Sequence, residues 1–152
     1  MDYSCPFCKT ISTTTQNLIS GNKTKLRLIV RNFPLKELPG HENSYSAALA
    51  AQAAVKFGKF EEMHSSLLEA QTLDKESILT IAEKLGINKE EFTKEWNSDA
   101  VKAKVDKDIQ DAENLQLSGT PTFFLNGKKI DLQNSDLSTQ TIAEINRIYP
   151  QN

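Results

Sequence analysis

The order of elements written into this sequence of 152 residues is that of an α/β protein. Three observations predict it. A helix is opened by Cys5-Pro6-Phe7-Cys8, two short stretches of strand character are separated by a long run of helical periodicity, and a hairpin near the end is followed by an amphipathic helix.

Pro6 suits a first helical position, where no amide donor is needed and φ is already set, so the first helix is expected from Pro6 to the Ser20-Gly21-Asn22 turn. Its Thr13-Thr14-Thr15 run is a weak helix former, which leaves tertiary packing to hold it. Lys25-Leu26-Arg27-Leu28-Ile29-Val30 is short, apolar, β-branched near its end and bounded by turn residues, and predicts a buried strand. Pro34, Pro39 and Gly40 then interrupt regular structure.

From Ser44 to Leu117 the periodicity is helical. Ala47 to Ala54 offers a small-residue face for close helix approach, and Phe60, Met63, His64, Leu67 and Leu68 continue the spacing. Asp74 is a candidate cap for a helix ending at Leu85 and stopped by Gly86. Asn88 with Glu91 makes a capping-box-like start for the helix carrying Phe92 and Trp96, and a longer helix is expected over Asp99 to Leu117. Thr122 to Leu125, the turn Asn126-Gly127 and Lys128 to Leu132 read as a hairpin. A last helix over Ser138 to Tyr149 sets Ile142, Ile145 and Tyr149 on one side.

Composition narrows the class. Lys plus Arg number 18 against 20 for Asp plus Glu, a net charge of −2, so neither nucleic acid nor an anionic membrane surface is an expected partner. The charged fraction of 25% beside 38% hydrophobic residues is that of a globular chain able to bury a core. No apolar run has the length of a membrane span, and no signal-peptide pattern opens the chain, so membrane insertion is not expected.

The two cysteines are the only ones present. A thiol at a helix N-terminus, followed by a second one turn later, is the arrangement that dithiol-disulfide exchange uses, because the unpaired amides and partial positive charge there favour a thiolate. Cys5 is the candidate nucleophile and Cys8 the thiol that resolves the mixed disulfide. Inert cysteines, or half of a zinc site completed by His41 and His64, are the alternatives, and haem attachment is excluded because Lys9 follows Cys8. No cofactor or metal is required by the exchange reading.

Several motifs, in order and over nearly the whole chain, together resemble the DsbA-like branch of the thioredoxin superfamily. They are Asp2-Tyr3 before Cys5-Pro6-Phe7-Cys8, Arg31-Asn32-Phe33-Pro34-Leu35, His41 before the Ala-rich helix, Gly58-Lys59-Phe60 with Met63-His64, and Gly119-Thr120-Pro121-Thr122-Phe123-Phe124 before Asn126-Gly127. The resemblance implies a thioredoxin-like fold with an inserted all-helical domain: residues 1–43 as the first thioredoxin-like part, 44–117 as the insertion and return helix, and 118–152 as the second part. It implies a cis-proline loop at Thr120-Pro121 that packs on the dithiol and, with Pro6 and Phe7, meets an extended substrate. Protein thiols or disulfides are then the substrates and a redox protein the partner. The resemblance also implies an extracytoplasmic compartment, while the sequence itself leaves localisation open.

In that fold the strand leading into the dithiol lies between the strands expected at Lys25 to Val30 and Thr122 to Leu125, and only Met1 to Ser4 precede Cys5 here. Two strands flanking a vacant position stand about 10 Å apart, twice the usual spacing, and face it with unpaired backbone groups at about 1 to 3 kcal/mol each. The first sheet strand is therefore expected to be absent, and the chain to be a truncated or fragmentary form. A strand swapped in from a partner and a re-paired sheet are the alternatives.

Phe7, lacking the charge of the His that the strongest family oxidants carry there, implies a moderate redox poise. Asp2 reads as a solvated end residue. His41 reads as a loop or helix-entry residue, His64 as a partly buried helix residue, Phe57, Phe60, Phe92 and Trp96 as core of the helical insertion, and the charges from Lys102 to Asp108 as a solvated helix face. The function expected is thiol-disulfide oxidoreductase. The alternatives are a non-catalytic peptide-binding or chaperone module of the same fold and a fragment of such an enzyme.

Overall fold

The structure is a computed structural model that describes residues 1–133 and 136–150. Residues 134–135 and 151–152, which belong to the expected third segment, lie outside the described residues.

Helix α1 spans Pro6–Gly21 with Cys5 as its N-cap and Pro6 in the first turn. Cys8 is the one buried residue of this helix, so little of its stability comes from packing along its length. The weak helix formers are accommodated by hydroxyls bonding back to the helix: Thr10 Oγ1 donates to the Pro6 carbonyl at 3.1 Å and Thr15 Oγ1 to that of Ile11 at 3.0 Å. Lys9 Nζ reaches the Ala70 carbonyl at 2.8 Å and ties α1 to the end of α3 (Phe60–Glu69).

Helix α2 (Ser44–Ala54) is the hub of the helical block. Its Ala47, Ala48, Ala50, Ala51, Ala53 and Ala54 are buried, and α3, α4 (Lys75–Lys84), α5 (Lys89–Trp96) and α6 (Asp99–Asn114) all pack on it. Side chains of one carbon let four helices approach closely, and Met63, Leu67, Ile78, Phe92, Trp96 and Val105 complete the buried core. Phe57 and Phe60 pack against this core half-buried, so all four aromatics expected there reach it. The caps are those the sequence indicates. Asp74 accepts from the Ser77 amide at 2.9 Å, Asn88 from those of Glu90 and Glu91 at 2.9 and 3.1 Å, and Gly86 stops α4 with φ +75°.

Among the described residues the sheet has two strands, β1 (Phe124–Leu125) and β2 (Lys128–Lys129), antiparallel with Phe124 opposite Lys129 and Leu125 opposite Lys128. Asn126 at φ +50° and Gly127 at φ +81° both take the left-handed conformation that a two-residue hairpin turn requires. One further bond, from the Ile130 amide to the Phe123 carbonyl at 2.9 Å, extends the pairing beyond the strands. Helix α7 (Leu137–Ile148), capped by Asp136, packs on α1.

Residues 25–30 differ from expectation. They form no strand, and Leu28 and Ile29 are 42% and 63% exposed. A strand needs a partner to bond with, and this segment meets one at a single rung: the Met1 nitrogen donates to the Arg31 carbonyl and the Phe33 amide to the Met1 carbonyl, each at 2.8 Å. That pair of bonds around Asn32 is the pattern of a parallel ladder, and it stops there. The same absence of neighbours leaves β1 and β2 shorter than Thr122 to Leu125 and Lys128 to Leu132.

Candidate active site

Helix α1 presents both cysteines at its N-terminal turn. Cys5 caps the helix with an extended backbone, φ −73° and ψ 120°, and its carbonyl accepts the Lys9 amide at 3.1 Å. Pro6 and Phe7 follow on the surface, Phe7 being 73% exposed, while Cys8 turns inward. Both sulfurs are free thiols, and Cys5 keeps 5% of its surface and Cys8 3%. Cys5 is thus less open to solvent than a surface nucleophile.

The chain returns to the cysteines 115 positions later. Cys5 Sγ donates to the Thr120 carbonyl at 3.3 Å, and the Thr120-Pro121 peptide bond beside that contact is cis. Thr122 Oγ1 closes the loop by donating to the Gly119 carbonyl at 2.7 Å. The Thr120 hydroxyl is buried with no hydrogen-bond partner, an orphan of the kind that ordinarily costs about 1 to 3 kcal/mol. Cys5, Cys8, Thr120 and Pro121 are therefore gathered at one place, with Pro6 and Phe7 at its edge.

Burial pushes the Cys8 thiol up to about 11, against the opposing pull of the Asp2 backbone amide and the Thr120 hydroxyl, both of which would serve a thiolate. Tyr3 lies beneath, fully buried, with its hydroxyl 2.9 Å from His64 Nδ1. Desolvation holds Tyr3 well above the ordinary phenol range and His64 down at about 4, so the pair is neutral at pH 7. His64 also stacks on Phe60 at 5.6 Å, which makes it the partly buried helix residue the sequence indicates.

Asp2 corrects its sequence reading. It is 1% exposed, and its carboxylate accepts the Ser4 amide at 2.7 Å, the Leu35 amide at 2.8 Å and His41 Nδ1 at 2.8 Å. An Asp that bonds the amide two positions on forms an Asx turn, and an Asp just before a helix start was the available sequence signal. Asp108 is a second correction. At 2% exposure it leaves the solvated face of α6 and accepts from the Asn32 amide at 3.0 Å, Arg31 Nε at 2.8 Å and Lys104 Nζ at 2.6 Å. Its i,i+4 spacing from Lys104 looks like an ordinary surface pair, so no sequence signal distinguished it. Two buried carboxylates, Asp2 and Asp108, thus grip residues 31–35 beside the cysteines.

His41 and His64 are separately engaged with Asp2 and Tyr3. Among the described residues no three His, Cys, Asp or Glu side chains are placed to hold a metal ion. Shallow surface depressions lie along α6 and beside Gly58 and Phe60, and neither includes a cysteine.

The whole pattern has relatives. The thioredoxin family matches residues 1–144. This chain belongs to that family. Its fold is that of the DsbA-like thioredoxin proteins, and here it is helix-rich, with a small two-stranded sheet among the described residues. A thioredoxin-like oxidoreductase from Silicibacter pomeroyi DSS-3 superposes with a TM-score of 0.82 at 26% identity, over 100% of this chain and 84% of that one. The thiol-disulfide exchange protein α-DsbA2 from Wolbachia pipientis gives 0.81 at 24% identity, over 97% and 78%, and shows the shared fold. Among curated sequences, a Na(+)/H(+) antiporter NhaA 1 of Mycobacterium sp. (strain KMS) is 35% identical over 131 residues, 84% of this chain and 21% of that protein. NhaA 3 of Salinispora tropica is 33% identical over 129 residues, 84% of this chain and 19% of that protein. The chain spans about a fifth of the length of these relatives, and among its described residues no helix is long and apolar enough to cross a membrane.

Proposed function

We propose that this protein is a thiol-disulfide oxidoreductase acting on protein thiols or disulfides through Cys5 and Cys8. The observation that carries the reading is the 3.3 Å contact of Cys5 Sγ with the Thr120 carbonyl, beside a cis proline and at the mouth of α1. The relatedness to a thioredoxin-like oxidoreductase across the full chain supports it.

In the reducing direction the Cys5 thiolate attacks a substrate disulfide, forming a Cys5-substrate disulfide and expelling the other substrate sulfur as a thiolate. Cys8, once deprotonated, attacks the Cys5 sulfur. This forms the Cys5-Cys8 disulfide, releases the second substrate thiolate, and has moved two electrons from the protein to the substrate. The oxidising direction is the same sequence reversed, and a redox partner protein restores the starting state. Substrate entry displaces the Thr120 carbonyl from Cys5, leaving the loop at Thr120 and Pro121 free to bond an extended chain, with exposed Phe7 and Pro6 supplying apolar contact. Phe7 offers no charge to a thiolate, which favours a moderate potential.

Cys5→Ser is expected to abolish insulin reduction and dithiol oxidation, whereas Cys8→Ser accumulates mixed disulfides with substrate. Equal activity of both variants and the parent refutes the assignment. A second reading, a non-catalytic peptide-binding module, is favoured by the burial of both thiols and the exposure of Leu28 and Ile29. It requires a cysteine-free variant to keep full partner affinity.

A further inference from the structure

Asp2 holds the N-terminal turn at several points. Its carboxylate, 0% exposed as a side chain, is shared by the amides of Ser4 and Leu35 and by His41 Nδ1, and its own carbonyl accepts the Cys5 amide at 3.3 Å. Its backbone amide is one of the groups that draw the Cys8 thiol down toward a thiolate, against the burial that raises it. The titratable groups around this knot are the Met1 amino group, His41, Tyr3, Cys5 and Cys8, and of these His41 alone bonds the carboxylate. We propose that Asp2 is a positioning residue for the dithiol, its buried carboxylate clamping the turn whose backbone serves both cysteines. This deepens the oxidoreductase reading and rests on it for its consequence in turnover.

The physical reason is geometric. A backbone amide serves a sulfur only if the chain is held against it, and residues 1–4 precede the first helix without a ladder of their own beyond the rung at Met1. Three donors converge on one carboxylate from three separate places: the turn itself, the loop after residue 34, and the entry to α2. Asparagine has the same shape but one acceptor oxygen, so its amide group meets either the Leu35 or the Ser4 donor head-on and the clamp opens. His41→Phe removes one donor at a side chain only 13% exposed and leaves the other two.

A hydrogen bond to a charged group is worth about one to two pK units of the acceptor, so losing it lowers the Cys8 thiolate fraction about tenfold per unit. Rising nucleophilicity returns part of this, and the net slowing of resolution is about threefold per unit. The test follows the lifetime of a Cys5-glutathione mixed disulfide by acid quench and intact mass. It compares the parent, Asp2→Asn, His41→Phe and, as a fold-only control, the remote cap variant Asp74→Ala. Expected is a lifetime lengthened about threefold to tenfold in Asp2→Asn, less in His41→Phe, and unchanged in Asp74→Ala. An unchanged lifetime in both Asp2→Asn and His41→Phe overturns the proposal. Cys8 Cβ NMR titration in a Cys5→Ser background reads the positioning without turnover: an upward-moved midpoint in Asp2→Asn supports it and an unmoved one overturns it. If the parent never resolves the mixed disulfide, the oxidoreductase reading fails by itself and that titration still decides the role of Asp2.

Discussion

Thr120→Val separates two effects that oppose each other in this site. With Cys8 as a thiol, the Thr120 hydroxyl is buried without a partner, so removing it and keeping the shape relieves a penalty of about 1 to 3 kcal/mol. With Cys8 as a thiolate, the same hydroxyl is one of the groups that draw the thiol down against a burial that holds it at about 11, and its loss costs the thiolate about 1.5 to 3 kcal/mol. Valine should therefore give a protein no less stable than the parent, with a melting temperature raised by about 2 to 4 °C per kcal/mol relieved. Its Cys8 titration should move up by about one to two units. Thermal unfolding near neutral pH and a Cys8 Cβ NMR titration, both in the Cys5→Ser background, measure the two effects on one sample. A variant that is less stable and titrates where the parent does refutes the reasoning, because the hydroxyl would then serve some other partner.

The Cys8 thiol also sets a stability slope. Its folded value of about 11 lies above the ordinary 9.0, so its contribution is whole below pH 9 and falls by about 2 to 3 kcal/mol as pH rises to 11. Cys8→Ala should flatten that part of the curve in urea unfolding. His64, lowered from 6.5 to about 4, contributes stability that is present above pH 6.5 and lost as pH falls to 4, on the order of 3 kcal/mol. Unfolding of His64→Phe between pH 4 and 7 should lack that slope, despite an offset from the orphaned Tyr3 hydroxyl. Asp108→Ala orphans the buried backbone and side-chain amides of Asn32 and takes a partner from the exposed Arg31 and Lys104, with an expected loss of about 2 kcal/mol or more by chemical denaturation; a loss under about 1 kcal/mol contradicts the clamp on residues 31–35. Phe92→Ala, at the centre of the helical block, should cost about 3 to 5 kcal/mol in the same assay.

Most of the helical architecture was legible because its signals are local. Proline at the first position of α1, the caps at Asp74 and Asn88, the stop at Gly86 and the Asn126-Gly127 turn act within four residues of themselves, so a linear pattern carries them. The Ala47 to Ala54 face was readable as a packing surface for the same reason. The segment 25–30 was not, since its apolar content describes a strand only where another chain segment lies beside it.

The candidate site divides along the same line. The sequence by itself determined that two thiols sit one turn apart at a helix mouth, and the resemblance to the family implied Thr120-Pro121 as their distant partner. Only the tertiary structure decided that the Thr120 carbonyl meets Cys5, that Cys8 is buried enough to resist ionisation, and that Asp2 and Asp108 leave solvent to hold residues 31–35. Helix geometry is set by neighbours in the chain, whereas desolvation and the pairing of a carboxylate are set by whatever the fold brings around it.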